Sequence, residues 1–349
     1  MGSGGAERQL AWLAPELRRR GHDVHVAYVH GGVHLDRVLE GGCATHPIAF
    51  SSKRDPRVLL RMARLVRRVR PDVVHTWLTH MDIAGGVAAK LARVPWVVSE
   101  RSAAGLYPPN MLNRVREVIG RRADLIVANS SGGAGYWRSL GMPAERIEVI
   151  RNFVPLAEIA AAPMLDDDRV VAGDELVVHA GRLSPDKNLF TLLAAMEEVC
   201  RRRPRVKLAL CGEGPLREKL EGEVTAKRLQ ERVIFAGFVP NVASWLKRAG
   251  VAVSISETEG HPNAVLEAAA AGAPLVLSDI AAHREVADDT SAAFVPPLDA
   301  RVVAEAIERT LHDGQAARLR AARARSAVGG LTLDATVAAY ENAYRRVTR

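Results

Sequence analysis

Short apolar runs rich in β-branched residues alternate with helix-patterned stretches along the whole chain, and no other feature limits its fold so tightly. Val24–Val29, Val73–His75, Trp96–Ser99 and Leu125–Ala128 read as buried strands in the first half. Leu176–Ala180, Val206–Cys211, Val233–Phe235, Val251–Ile255 and Pro274–Ser278 read the same way in the second. Between them, Arg57–Val69, Leu189–Arg201, Leu216–Lys227 and Ala264–Ala271 have helical spacing. Such alternation makes parallel sheets with helices on both faces. The expected class is α/β, with two Rossmann-like, doubly wound domains facing each other across a cleft. A length of 349 residues suits two domains. The boundary falls in Asn152–Asp174, which holds Pro155, Pro163, the Asp166–Asp168 run and Gly173. The expected domains are residues 1–155 and 174–330, and residues 331–349 are expected to form a helix that crosses back to the first. In such sheets ligands bind at the carboxyl ends of the strands, so the strand-to-helix loops should carry the chemistry.

Several classes drop out. Cys43, Cys200 and Cys211 lie far apart without metal-ligand spacing, so neither a zinc site nor a disulfide framework is indicated. That pattern is compatible with a reducing cytosol. No run of roughly eighteen uncharged apolar residues marks a membrane span. The first residues do not read as a signal peptide, since no apolar segment follows a basic one. The net charge of +8 is unevenly placed. Residues 1–155 carry 23 Lys and Arg against 13 Asp and Glu, whereas the rest carries 25 against 27. The excess points to an anionic partner for the first half: a membrane surface, an anionic glycolipid or a nucleic acid.

The densest constellation runs from Ser256 to Gly272, with Glu259 in a loop and Glu267 in the helix that follows. The helix should start near Asn263 and stop at Gly272. Glu267, four residues past Asn263, shares its face. Two carboxylates and free N–H groups can then meet one ligand. Carboxylates accept strong bonds from sugar hydroxyls, while the N–H groups and helix dipole suit phosphate. Two solvated glutamates on a capped helix fit the same pattern. A second piece, Gly181 to Asn188, brackets a loop with Arg182 and Lys187. Two cations there could hold a diphosphate leaving group as its charge grows, or could be surface charges on a turn. A third piece, Cys211 to Leu216, has Gly212 and Gly214 for close backbone approach. A fourth, ending in Phe238-Val-Pro-Asn, offers backbone to a base.

In order and spacing these four pieces resemble the donor domain of family 4 glycosyltransferases, which have the GT-B fold. The resemblance implies that Arg182 and Lys187 hold a diphosphate. It implies that Glu259 contacts the donor sugar, Glu267 the ribose, and the backbone of His261, Pro262, Asn263 and Ala264 the sugar or phosphate. Gly214 and Phe238 join the donor set. It also implies a UDP- or GDP-linked donor, no metal or other cofactor, and retention of configuration. The favoured mechanism is a front-face substitution assisted by the leaving phosphate. His261 departs from the aromatic usual at its position and reads as a shape-filling ring.

In the first half, Gly2 to Arg8 is similar to the family's glycine-rich turn, which places Gly4 and Gly5 near the diphosphate. The strand that should precede this turn is absent from the sequence. In a doubly wound sheet that strand is central, so a gap is expected, as in a chain truncated or started late. His75 lies in a strand-to-loop motif similar to the family's. Glu100 and Arg101 stand where many relatives place a histidine, in a Ser-Glu-Arg pattern similar to enzymes that extend lipid-linked or capsular oligosaccharides; they could equally be a local ion pair. Asn129 matches another cleft-facing loop. These four are the acceptor-side candidates, for a glycan or lipid-linked oligosaccharide. The transferred sugar would be a hexose or N-acetylhexosamine, for polysaccharide or glycolipid synthesis.

Lys53–Arg70 holds eight basic residues and one acidic residue. Arg57, Arg61, Arg64 and Arg68 form a stripe beside an apolar one of Val58, Met62, Leu65, Val66 and Val69. An anionic bilayer would attract this face and hold a cytoplasmic enzyme peripherally on the inner face of the cell membrane. The alternative is a helix packed on its own sheet, as apolar stripes usually are. Three other functions compete: a GT-B-shaped sugar-nucleotide epimerase, an inactive nucleotide-sugar-binding scaffold, and a nucleic-acid-binding protein. An epimerase is not expected to combine Arg182 and Lys187 with Glu259 and Glu267. Aromatic residues are 5% of the chain and are not interleaved with the positive charge, which argues against nucleic acid.

Overall fold

The computed structural model describes all residues except 1, 3, 49–54, 56, 103–106 and 108–109. Lys53 and Arg54 of the basic segment therefore lie outside the described residues. The chain divides into unit 1, Met1–Phe153 with Leu331–Arg349, and unit 2, Val154–Gly330.

Unit 1 contains, in order, α1 (Gly5–Arg19), β1 (His25–Tyr28), α2 (Leu35–Glu40), β2 (Ala44–Pro47), α3 (Arg57–Val69) and β3 (Val74–Trp77). It continues with α4 (Thr79–Ala92), β4 (Trp96–Glu100), α5 (Met111–Gly120), β5 (Leu125–Ala128), α6 (Ser131–Ser139) and β6 (Ile147–Val149). Unit 2 holds α7 (Leu156–Ala161), β7 (Glu175–Ala180), α8 (Leu189–Arg202), β8 (Val206–Cys211), α9 (Arg217–Ala226) and β9 (Val233–Gly237). Then come α10 (Val242–Arg248), β10 (Val251–Ser254), α11 (Asn263–Ala271), β11 (Leu275–Ser278), α12 (Ala281–Arg284), β12 (Ala293–Val295), α13 (Ala300–His312) and α14 (Gly314–Val328). The last helix, α15 (Leu333–Thr348), returns to unit 1.

All strand pairs are parallel. Every residue of β4, β5, β10 and β11 is buried, as befits strands covered on both faces. In unit 2 the sheet order is β12-β11-β10-β7-β8-β9. The chain starts in the middle at β7, winds out to β9, then returns to β10 on the other side. That reversal defines a switch point between β7 and β10. Leu189, Leu192, Leu193, Met196 and Val199 of α8 recur at helical spacing and join the buried core of this sheet.

In unit 1 the described residues form two sheets, β1-β2 and β3-β4-β5-β6, with no described strand joining them. α15 lays Val337, Tyr340 and Ala343 into the core beside Trp77, Val97, Leu125 and Val127. Val58, Met62 and Val66 of α3 pack inward with Ala84 and Ala88 of α4, which is the inward-packing alternative for that apolar stripe. Arg57, Arg64 and Arg68 are exposed, and so is Leu60. Among the described residues no helix is long and apolar enough to cross a membrane.

Candidate active site

Backbone pairing between β7 and β10 runs through Val177–Val251 and Val178–Ala252. Beyond it each strand enters its own loop, and the two loops meet again above the switch point. Glu257 N donates to Asp186 O at 3.0 Å. Asn188, in the left-handed region at φ 53°, donates from Nδ2 to Ile255 O at 3.0 Å and so ties the start of α8 to the end of β10. Across this frame Lys187 Nζ donates to Glu259 Oε1 at 2.6 Å and lies 3.1 Å from Asp186 Oδ2. Ser256 Oγ donates to the same Glu259 oxygen at 2.8 Å. The Lys187 and Glu259 side chains are 15% and 16% exposed, shielded yet open to a ligand. Burial acts to lower the Lys187 pKa, but Glu259 and Asp186 outweigh it and raise it. Burial likewise acts to raise the Asp186 pKa, but the Ser184 hydroxyl and Lys187 bring it below the usual carboxylate range.

The structure thus brings together Glu259 and Lys187, seventy-two residues apart in sequence. Arg182 sits on the same loop as Lys187 and is exposed; its backbone oxygen accepts from Ser184 N at 2.9 Å, and among the described residues no hydrogen bond or ion pair holds its guanidinium. After Glu259 the chain buries His261 and Pro262, and α11 then begins at Asn263 and Ala264. Glu267 lies one turn into α11 and is buried. Gly272 ends the helix at φ 79°, a backbone state that glycine adopts freely.

Gly212 and Gly214 have a mechanical reason. A Cβ on Gly212 would fall 1.9 Å from Gly181 O, and one on Gly214 would fall 2.3 Å from Leu183 O. The loop after β8 therefore lies directly against the loop that carries Arg182 and Lys187. Leu183 N donates to Glu213 O and Leu216 N to Leu183 O, both at 3.0 Å. Phe238, just past β9, is 46% exposed.

The unit 1 candidates are placed differently. Gly4 precedes α1 and Gly5 opens it. Glu100 is fully buried and spends both oxygens internally. Oε2 accepts from Arg116 at 2.9 Å and from Trp137 Nε1 at 2.8 Å; Oε1 accepts from Ser102 N at 2.9 Å and Tyr107 OH at 2.5 Å. The ion-pair partner of Glu100 is therefore Arg116, not Arg101. Arg116 also donates to Asp82 at 2.7 Å, making a sealed triad. Burial raises the Asp82 pKa to about 6, although Arg116 opposes it. The Arg101 guanidinium folds over the Trp77 ring at 4.1 Å, with Nε and Nη1 sealed from solvent. His75 Nδ1 lies 2.8 Å from the Tyr344 hydroxyl of α15. Burial, with Arg101 nearby, pushes its pKa down to about 3. Asn129 is buried at the end of β5. Glu100 and His75 thus bond to partners within unit 1, while His75 and Arg101 remain half-buried as whole residues.

Sequence reading passed over Asp186 and Ser256, which brace Lys187 and Glu259. Both are short polar residues within the motifs, and only the fold shows what they touch. Among the described residues, no three His, Cys, Asp or Glu side chains converge to hold a metal ion.

Residues 3–158 match the family model described as Glycosyltransferase Family 4, and residues 166–327 match Glycosyl transferases group 1. A lipopolysaccharide core biosynthesis glycosyltransferase of Rhizobium meliloti is 29% identical over 97% of this chain and 94% of its own length. A Campylobacter jejuni N-acetylgalactosamine-N,N'-diacetylbacillosaminyl-diphospho-undecaprenol 4-alpha-N-acetylgalactosaminyltransferase is 24% identical over 80% of this chain and 78% of its own. The crystal structure of Anabaena Alr3699/HepE in complex with UDP and glucose has a TM-score of 0.87 and 20% identity, covering 98% of this chain and 96% of that one. At that identity the likeness speaks for the fold, and the fold is GT-B.

Proposed function

The chain belongs to glycosyltransferase family 4, and from that premise we propose that it moves a hexose or N-acetylhexosamine from a UDP- or GDP-sugar to a glycan or lipid-linked acceptor, with retention of configuration. The observation that carries the donor assignment is the Lys187–Glu259 contact above the switch point of unit 2. A diphosphate entering beside Arg182 and Lys187 gains two cations and the N–H groups that open α11. Glu259 then turns from Lys187 to the sugar hydroxyls, and Glu267 serves the ribose. Gly214, Phe238 and the His261–Ala264 segment line the same donor site. In the transfer step the acceptor oxygen bonds to the anomeric carbon as the bond to the diphosphate oxygen breaks. The acceptor proton passes to the leaving diphosphate, whose charge the two cations stabilise. No step calls for a metal or other cofactor.

Relatives that build lipopolysaccharide core and extend diphospho-undecaprenol-linked sugars support an acceptor of that kind. The exposed arginine face of α3 supports attachment to an anionic membrane surface, on the cytoplasmic side where sugar nucleotides are made. Neither role calls for nucleic acid. The test is a panel of UDP-, GDP- and ADP-sugars, scored by thermal shift and donor hydrolysis. One base and sugar should stabilise the protein and be hydrolysed slowly; a panel without response overturns the donor assignment.

A further inference from the structure

His179 takes no part in the chemistry above, yet it occupies the switch point itself. It lies on β7, is 1% exposed, and follows the last backbone pair with β10, Val178–Ala252. The next link between these strands comes from its side chain: Nδ1 is 3.2 Å from Val253 O. A carbonyl oxygen only accepts, so Nδ1 carries the proton and Nε2 holds a lone pair. Nε2 is sealed from solvent and has no hydrogen-bond partner. It faces the turn that begins the phosphate loop, and a Cβ on Gly181 would sit 3.4 Å from it. The imidazole fills the fork where the loop bearing Arg182 and Lys187 parts from the loop bearing Glu259. Burial lowers its pKa to about 4, so the ring stays neutral in this fork.

We propose that His179 is a positioning residue: its Nδ1–H clamps β10 to β7 at the fork and so fixes the spacing between Lys187 and Glu259. The inference rests on the donor-site reading only in what that spacing is for. The ring touches neither sugar nor phosphate; it acts through the two loops.

Two substitutions separate a hydrogen-bond clamp from a space filler. In His179→Asn the amide nitrogen stands where Nδ1 stood and still reaches Val253 O. In His179→Gln it stands where Nε2 stood, and the bond is lost, although glutamine is nearer histidine in volume. Amide hydrogen exchange without ligand should quicken about five- to tenfold in residues 181–188 and 256–263 of His179→Gln and stay near wild type in His179→Asn. Calorimetry with UDP, or with GDP if the panel selects it, should give the same order, a similar loss of affinity confined to His179→Gln. In the wild type, ring nitrogen NMR should show Nδ1 protonated and Nε2 bare. The opposite order of the two variants, unchanged exchange in both, or an Nε2-protonated ring overturns the clamp. If the wild type binds no nucleoside diphosphate, the donor assignment falls, while the exchange and NMR results still decide the clamp.

Discussion

Each unit joins a cation to carboxylates, and the two clusters do opposite work. In unit 2 Lys187 holds Glu259 and Asp186 in a crevice that solvent still reaches. In unit 1 Arg116 holds Glu100 and Asp82 with every side chain 2% exposed or less. The residue types are the same; burial and loop geometry divide them. A shielded but open pair can exchange its partner for a ligand. A sealed triad cannot, and it welds α4, β4 and α5 together instead. Charge pairs in a sequence therefore announce a site only once their exposure is known.

The largest effect should follow from cutting the sealed cluster. Arg116→Met leaves Glu100 and Asp82 buried without a partner and should cost about 3–5 kcal/mol of stability by chemical denaturation. A loss as small as that of a surface substitution would mean the triad is dispensable. Next comes the open pair. Lys187→Ala and Glu259→Ala should each cut transfer about 10²- to 10³-fold while the fold persists, and near-normal turnover in either variant removes the donor assignment.

Acid should also tell the units apart. His179 in unit 2 is pushed down to about 4, and His75 in unit 1 to about 3. The folded state holds these protons less tightly than the unfolded state, where histidine titrates near 6.5. Their contribution is thus whole above pH 6.5 and lost as pH falls toward 4. Asp82 has the reverse sign: raised to about 6, it gains stability as pH falls from 6 to below 4. Unit 1 offsets part of its loss, and unit 2 should loosen first when amide exchange is followed from pH 7 to 4.5. Equal loosening would break the contrast. The smallest effect is expected on α3. Replacing Arg57, Arg61, Arg64 and Arg68 by Gln should weaken binding to anionic vesicles several-fold at low salt. Unaltered vesicle binding removes the membrane role.

Much of unit 2 was legible in the sequence. Val206–Cys211 stands as written, and α11 runs from Asn263 to the glycine stop at Gly272, because propensity, periodicity and capping agree there. Unit 1 was harder. β2, with its histidine and proline, and β6, three residues at a sheet edge, are too short to show a period. The acceptor-side expectations for His75, Glu100 and Arg101 rested on motif position, which fixes a place on a strand but not the direction of a side chain. Tyr340 and Tyr344, which cover His75, lie more than 260 residues further along, and no local pattern links them. In unit 2 Lys187 and Glu259 stand on loops that leave two neighbouring strands, so motif order put them on one side of the sheet, while their bracing by Asp186 and Ser256 showed only in the fold.

The return of α15 to unit 1 bears on how the protein is made. Ribosomes release a chain from its amino end, and most domains are finished in that order. Here residues 154–330 emerge complete while unit 1 still lacks its last helix. His75 and Trp77 wait for Tyr340 and Tyr344 until all of unit 2 has been made. Unit 2 can mature first, and a nascent chain stalled before Leu331 would display the bare apolar face of unit 1 to chaperones and proteases.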